Sequence, residues 1–160
     1  MQQELDNFVA VAKRFCEWAE AEPINPEDDL RIAERLLTEL HLAALPLPLD
    51  CPGDDIECPL LPGEMFHRVR ARFSALPVQG YWDLYNPLIQ EEEIVFNVLS
   101  DDLADIYTDI KQHFFLYEQG HYDTACWDWR FNFQIHWGGH LLSAQRAIYH
   151  YLYRSREVIT

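Results

Sequence analysis

Residues 45–62 carry five prolines together with Gly53 and the acids Asp50, Asp54 and Asp55, and no helix can continue through a segment so poor in amide donors and so rich in turn formers. It reads as a long Pro-rich surface loop. A chain of 160 residues has the usual size of one domain, so the loop is taken as a connection inside a single helical domain spanning 1–160.

Apolar spacing sets the elements on either side. Leu5, Phe8, Ala12, Phe15, Cys16 and Ala19 recur every three or four residues, which predicts an amphipathic helix over 4–20. Asn25-Pro26 then reads as an N-cap and first helical position, with Glu27, Asp28 and Asp29 at the positive end of the helix dipole. Leu30, Ala33, Leu36, Leu37, Leu40 and Ala44 form the buried stripe of this second helix. Beyond the loop, Met65, Phe66, Val69 and Phe73 mark a short helix over 63–76 that also carries Arg68, Arg70 and Arg72. Residues 81–87 are aromatic without helical periodicity, and the apolar stretch 94–99 suits a short strand near Val95. Ser100 is placed to cap a helix over 101–119, with Leu103, Ile106, Tyr107, Ile110, Phe114 and Tyr117 inward and Gly120 as its stop. The last helix, over 122–154, is apolar around most of its circumference, as a helix at the centre of a bundle must be. Gly138-Gly139 in its middle bends it or lets another backbone approach closely. The expected fold class is all-α, a bundle of about five helices with a long central C-terminal helix.

The charge narrows the partners. Twenty-seven acidic against twelve basic residues give a formal net charge of −15, which repels nucleic acid and anionic membrane surfaces, so direct binding to either is not expected. A basic protein partner fits the charge, as does mimicry of DNA by an acidic binding module. Aromatic residues at 14% of the chain also suit a homodimer interface. The start Met1-Gln2-Gln3-Glu4 has no basic, apolar leader, and the apolar stretch 40–49 is broken by Pro46 and Pro48, so a cytoplasmic protein without a membrane span is expected. Cys51 and Cys58 flank a Pro/Gly/Asp loop at a spacing that matches no standard zinc pattern, and a disulfide between them is not expected in a reducing compartment.

Two features bear on chemistry. His136 and His140 lie four residues apart, one turn apart on one helical face, as two imidazoles must when both ligate one metal. The helical phase puts them with Trp129, Phe133, Ala144, Ala147 and Tyr151, which points them inward. Trp137, Gly138 and Gly139 stand between them, and the Glu that zinc proteases place beside the first His is absent. The second feature is the acidic ladder Asp101, Asp102, Asp105 and Asp109. Measured from an apolar centre near Ile110, Asp105 falls about 140° away and Asp109 about 100°, so Asp105 reads as solvent-facing and Asp109 as flanking the core. Asp101 and Asp102 suit the positive end of the helix dipole.

These two stretches carry a family resemblance. Residues 101–111, preceded by Tyr81-Trp82 and Asn86-Pro87, and Trp127-Asp128-Trp129-Arg130-Phe131 followed by His136-Trp137-Gly138-Gly139-His140 and residues 144–150, resemble the bacterial domain of unknown function 5063. The resemblance is strong over the C-terminal half and weak in the first 60 residues. It implies a helical bundle in which the Asp ladder and the histidine pair belong together, and it implies no particular activity. Asn86 stands where that family more often has Asp.

The expectation is an interaction or regulatory protein without enzymatic activity, in which Asp105, Asp109, Arg130, His136 and His140 form an interhelical polar network and Arg130 offsets the aspartates. The alternative is a metal-dependent hydrolase in which Asp105, Asp109, His136 and His140 hold a divalent metal such as Zn, Mn or Mg, whose bound water supplies the nucleophile.

Overall fold

In the computed structural model, which describes residues 2–50, 52–91 and 93–154, the first two apolar stripes become α1 (Gln2–Glu20) and α2 (Pro26–Ala44). Every α1 and α2 stripe residue read from the sequence is buried. Asn25 caps α2 as its sequence requires, its side-chain oxygen accepting from the backbone N–H groups of Glu27 and Asp28. Asp29 stands in the first turn of α2 as expected and does more there. It is buried, accepts from the Trp18 indole at 2.9 Å and pairs with Arg72 at 2.7 Å, tying α1 and α2 to α3 (Gly63–Phe73).

Between α2 and α3 no helix or strand forms among the described residues. The segment is more than a surface strap: Leu47 is buried, and Ile56, Cys58 and Leu61 pack half-buried on the core. The Trp127 indole donates to the Leu49 carbonyl at 3.1 Å. A Cβ on Gly53 would lie 2.2 Å from the Thr124 hydroxyl, so only glycine lets the loop approach that closely. Cys51 lies outside the described residues.

The chain is predominantly helical but not wholly so. β1 (Gly80–Leu84) and β2 (Ile94–Val98) form an antiparallel hairpin with Trp82 opposite Phe96 and Leu84 opposite Ile94. The chain then turns straight into α4 (Leu99–Glu118). The Leu99 N–H donates to Gln79 at 3.0 Å, and Ser100 is buried in the first turn without capping it. The Gln79 carbonyl thus takes one of the free amide donors of the first turn, and no side chain caps the helix.

The final helical run has α5 (Tyr122–Asn132), a π turn over Phe133–Trp137, α6 (Gly138–Tyr149) and a second π turn over His150–Arg154. It packs against both α4 and α2. In the first π turn the Gly138 N–H donates five residues back to the Phe133 carbonyl. Such a turn holds more residues than an α turn, so each advances the phase by less than about 100°. Over five residues the lag lets Trp137 join Trp129 in the core, both fully buried, while His136 moves to the flank. Both indoles are satisfied there: Trp129 donates to the Ile110 carbonyl at 2.9 Å and Trp137 to the Trp129 carbonyl at 3.1 Å.

The two adjacent glycines should therefore respond in opposite ways. A Cβ on Gly138 would lie 2.2 Å from the Phe133 carbonyl oxygen, whereas one on Gly139 meets nothing within 4 Å. Denaturant unfolding of Gly138→Ala is expected to show a loss of about 1–3 kcal/mol, and of Gly139→Ala a gain of up to about 1 kcal/mol.

Candidate functional site

Helix α4 and the final run lie antiparallel, so that high-numbered residues of one meet low-numbered residues of the other. Asp102, Asp105 and Asp109 share one face of α4 by their three- and four-residue spacing. Opposite them stand His136, in the π turn, and His140, in the first turn of α6. The His136 Nδ1–H donates to Asp109 Oδ2 at 2.6 Å, and the His140 Nδ1–H donates to Asp102 Oδ1 at 2.8 Å. The two rings lie 4.8 Å apart, edge to face. The result is a pair of carboxylate–imidazole dyads side by side.

Asp102 is the most buried member, with 5% of its side chain exposed. Its second oxygen accepts the hydroxyl of Tyr81 from β1. The hairpin is further fixed by Asp83, which pairs with Arg146 of α6 at 3.1 Å. Both contacts use the inward face of β1, and the residues facing them on β2, Asn97 and Val95, line a cleft of about 440 Å³ between hairpin and α6. His136, Gly139, His140 and Ser143 form its helical wall, and Asp102 closes one side. Asn86, beyond β1, lines it as well.

Electrostatics follow from this packing. The Asp102 hydrogen bond raises the His140 pKa above its ordinary value against the opposing effect of burial, and the charges of Asp102, Asp105 and Asp109 add to the rise. The Asp105 pKa is raised as well, here by burial: the His140 and His136 charges lower it, and Asp109 and Asp102 raise it further. Its nearest cation is His140 Nε2 at 3.8 Å, and it makes no hydrogen bond among the described residues. The burial of Tyr81 beside Asp102 holds its hydroxyl protonated far into the alkaline range.

The structure brings Asp105, Asp109, His136 and His140 together. It places Arg130 elsewhere, with its guanidinium 5.2 Å from the Phe133 ring and its Nε buried without a hydrogen-bond partner. Among the described residues no ion pair joins Arg130 to Asp105 or Asp109. The histidines do not point into the core as straight-helix phase requires. Their side chains are 48% and 31% exposed, because the π turn rotates them toward α4 and the cleft. Asp105, read as solvent-facing, is half-buried for the same reason that it lies opposite that pair. Asp101, the first rung of the ladder, turns away and pairs with Arg70 of α3. The residue in its place is Asp102, and the signal for it was present: it stands three residues before Asp105 and seven before Asp109, on one helical face. Tyr81 had no such signal, since only strand pairing brings it there. Among the described residues no three His, Cys, Asp or Glu side chains gather as a ready-made metal site.

The family model described as Domain of unknown function (DUF5063) matches residues 1–154. The chain belongs to this family. The match includes the first 60 residues, where the motif resemblance was weak, and so takes in α1, α2 and the Pro-rich loop. No curated protein matches the chain. A crystal structure of protein BF1032 from Bacteroides fragilis is similar over 94% of this chain and 95% of that one, with a TM-score of 0.77 at 25% identity. The DUF5063 fold is thus a helical bundle with a long C-terminal helical run, and no helix described is long and apolar enough to cross a membrane.

The raised His140 pKa gives a pH dependence of definite sign. A histidine held more basic in the folded state contributes its full stabilisation below the ordinary value of 6.5 and loses it as the pH rises through the folded value. Urea unfolding between about pH 6 and pH 9 should show wild type losing more stability than His140→Gln. Equal losses would mean that His140 gains no proton affinity on folding.

Proposed function

We propose that this DUF5063 protein is a binding protein whose cleft takes a small organic cation, such as a primary amine or guanidinium compound. The observation that carries the reading is the acidity of the cleft: Asp102 and the two imidazoles line it, and Asp105, a partly buried carboxylate without a hydrogen bond, stands 3.8 Å from the His140 ring. A carboxylate partly shielded from water and without a protein donor gains from an incoming N–H donor, most of all a charged one. Three carboxylates against two imidazoles also leave the site with excess negative charge whatever the protonation of the histidines. A volume of about 440 Å³ suits a small molecule.

The open flank of Gly139 supplies the test. A larger side chain there fills the cleft without disturbing the helix, since a Cβ meets nothing within 4 Å. In calorimetric titration with a panel of amines, diamines and guanidinium compounds, wild type should bind at least one. Asp105→Asn should weaken that binding about tenfold or more through loss of a charged hydrogen bond, and Gly139→Leu should abolish it while the fold persists. Binding that survives Gly139→Leu, or a panel with no binder, would sink the proposal.

A second reading, the metal-dependent hydrolase, is favoured by one feature. Imidazoles that ligate metals usually give their other ring nitrogen to a carboxylate, as His136 gives Nδ1 to Asp109 and His140 gives Nδ1 to Asp102. His136, His140 and Asp105 would hold the ion. Elemental analysis of untagged protein purified without chelators decides this reading: near-stoichiometric metal lost in His136→Ala/His140→Ala supports it, and metal-free protein rejects it.

A further inference from the structure

The hairpin has a second face, turned away from Asp102 and the histidines, that meets the cleft only at Leu84. Strand alternation sends Tyr81 and Asp83 inward with Asn97 and Val95, and so sends Gly80, Trp82 and Leu84 outward with Val98, Phe96 and Ile94. No position on that outward face carries a charge or a hydrogen-bonding side chain other than the Trp82 indole. Trp82 is 71% exposed, Ile94 66%, Phe96 57% and Leu84 39%. The face is also ordered as a surface: the Trp82 and Phe96 rings pack edge to face at 5.0 Å, and the Phe96 ring lies over Gly80, where a Cβ would be 2.2 Å from it.

We propose that this face is an interface between two copies of the chain, packed hairpin on hairpin about a two-fold axis. Three properties point to a second copy. The first is area: a fully exposed aromatic side chain presents roughly 150–250 Å², so Trp82 and Phe96 together with Leu84 and Ile94 reach the few hundred Å² that monomers rarely leave uncovered. The second is charge. A chain of net charge −15 repels its own copy over most of its surface, and this neutral face is where two copies meet without bringing carboxylates together. A basic partner, in contrast, finds no acid on it. The third is self-complementarity. The face has an aromatic half, Trp82 with Phe96, and an aliphatic half, Leu84 with Ile94. A two-fold rotation sets each aromatic pair on the other copy's aliphatic pair, which is what an isologous contact requires.

Sedimentation velocity over a concentration series tests this with the whole chain. Wild type is expected to sediment as a dimer at micromolar concentrations, with Trp82→Lys and Ile94→Lys each weakening it about 100-fold or more. Circular dichroism guards against unfolding as the cause. Mixing Ile94→Lys with Phe96→Glu protein keeps the proposal open to refutation even if one variant is impaired, because the two-fold packing sets residue 94 of one copy on the aromatic pair of the other, where opposite charges should restore a mixed dimer that neither forms alone. A wild-type monomer at hundreds of micromolar, or a dimer that both lysine variants leave intact, overturns the proposal. None of the substituted residues lines the cleft, so the outcome is separable from ligand binding there.

Discussion

Burial of the Asp102 carboxylate is the constraint on which the cleft depends. An ionised group that has left water needs each oxygen satisfied, and the two partners of Asp102 come from different parts of the chain: the Tyr81 hydroxyl from β1 and the His140 imidazole from α6. One side chain near the start of α4 therefore sets the position of the hairpin and of the helical wall together. Asp83 with Arg146 makes the same connection at the rim. Without these ties a two-stranded ribbon would be only marginally ordered.

The π turn is the second determinant. It brings Trp129 and Trp137 into the core, where Phe8 and Phe114 pack around Trp129 at ring separations of 5.1 and 5.0 Å. In doing so it sends His136 to the flank beside Asp109. Core packing and site geometry are thus two consequences of one change in helical phase. Gly138 makes that change sterically feasible, and Gly139, one position on, leaves the wall of the cleft open.

Charge organisation across the antiparallel helices explains why the acidic ladder is tolerated. Carboxylates stacked on one helix face repel unless cations stand among them. Asp102 and Asp109 each have an imidazole opposite, and Asp101 has Arg70. Asp105 has only the more distant edge of His140. This uneven neutralisation distinguishes one carboxylate from its neighbours in a chain whose acidic excess is otherwise spread over the surface.

The sequence by itself determined the elements whose signals are local. The stripes of α1 and α2, the Asn25 cap and the helix-free segment at 45–62 all follow from spacing and turn chemistry within a few residues, and the same spacing singled out the Asp ladder and the two histidines, which only the family resemblance put together. What it could not determine was everything resting on contacts distant in the chain. Of the hairpin only the strand near Val95 was readable; its partner was not, because Tyr81 and Asn97 acquire a common purpose only when their strands pair. Asp102 read as a dipole partner because its hydroxyl and imidazole donors lie 21 and 38 residues away. Arg130, three residues before Phe133, stacks on that ring instead of offsetting the aspartates. The inward direction expected of the histidines assumed one uniform helical phase, and only tertiary packing, by drawing both Trp129 and Trp137 into one core, made the π turn the cheaper arrangement.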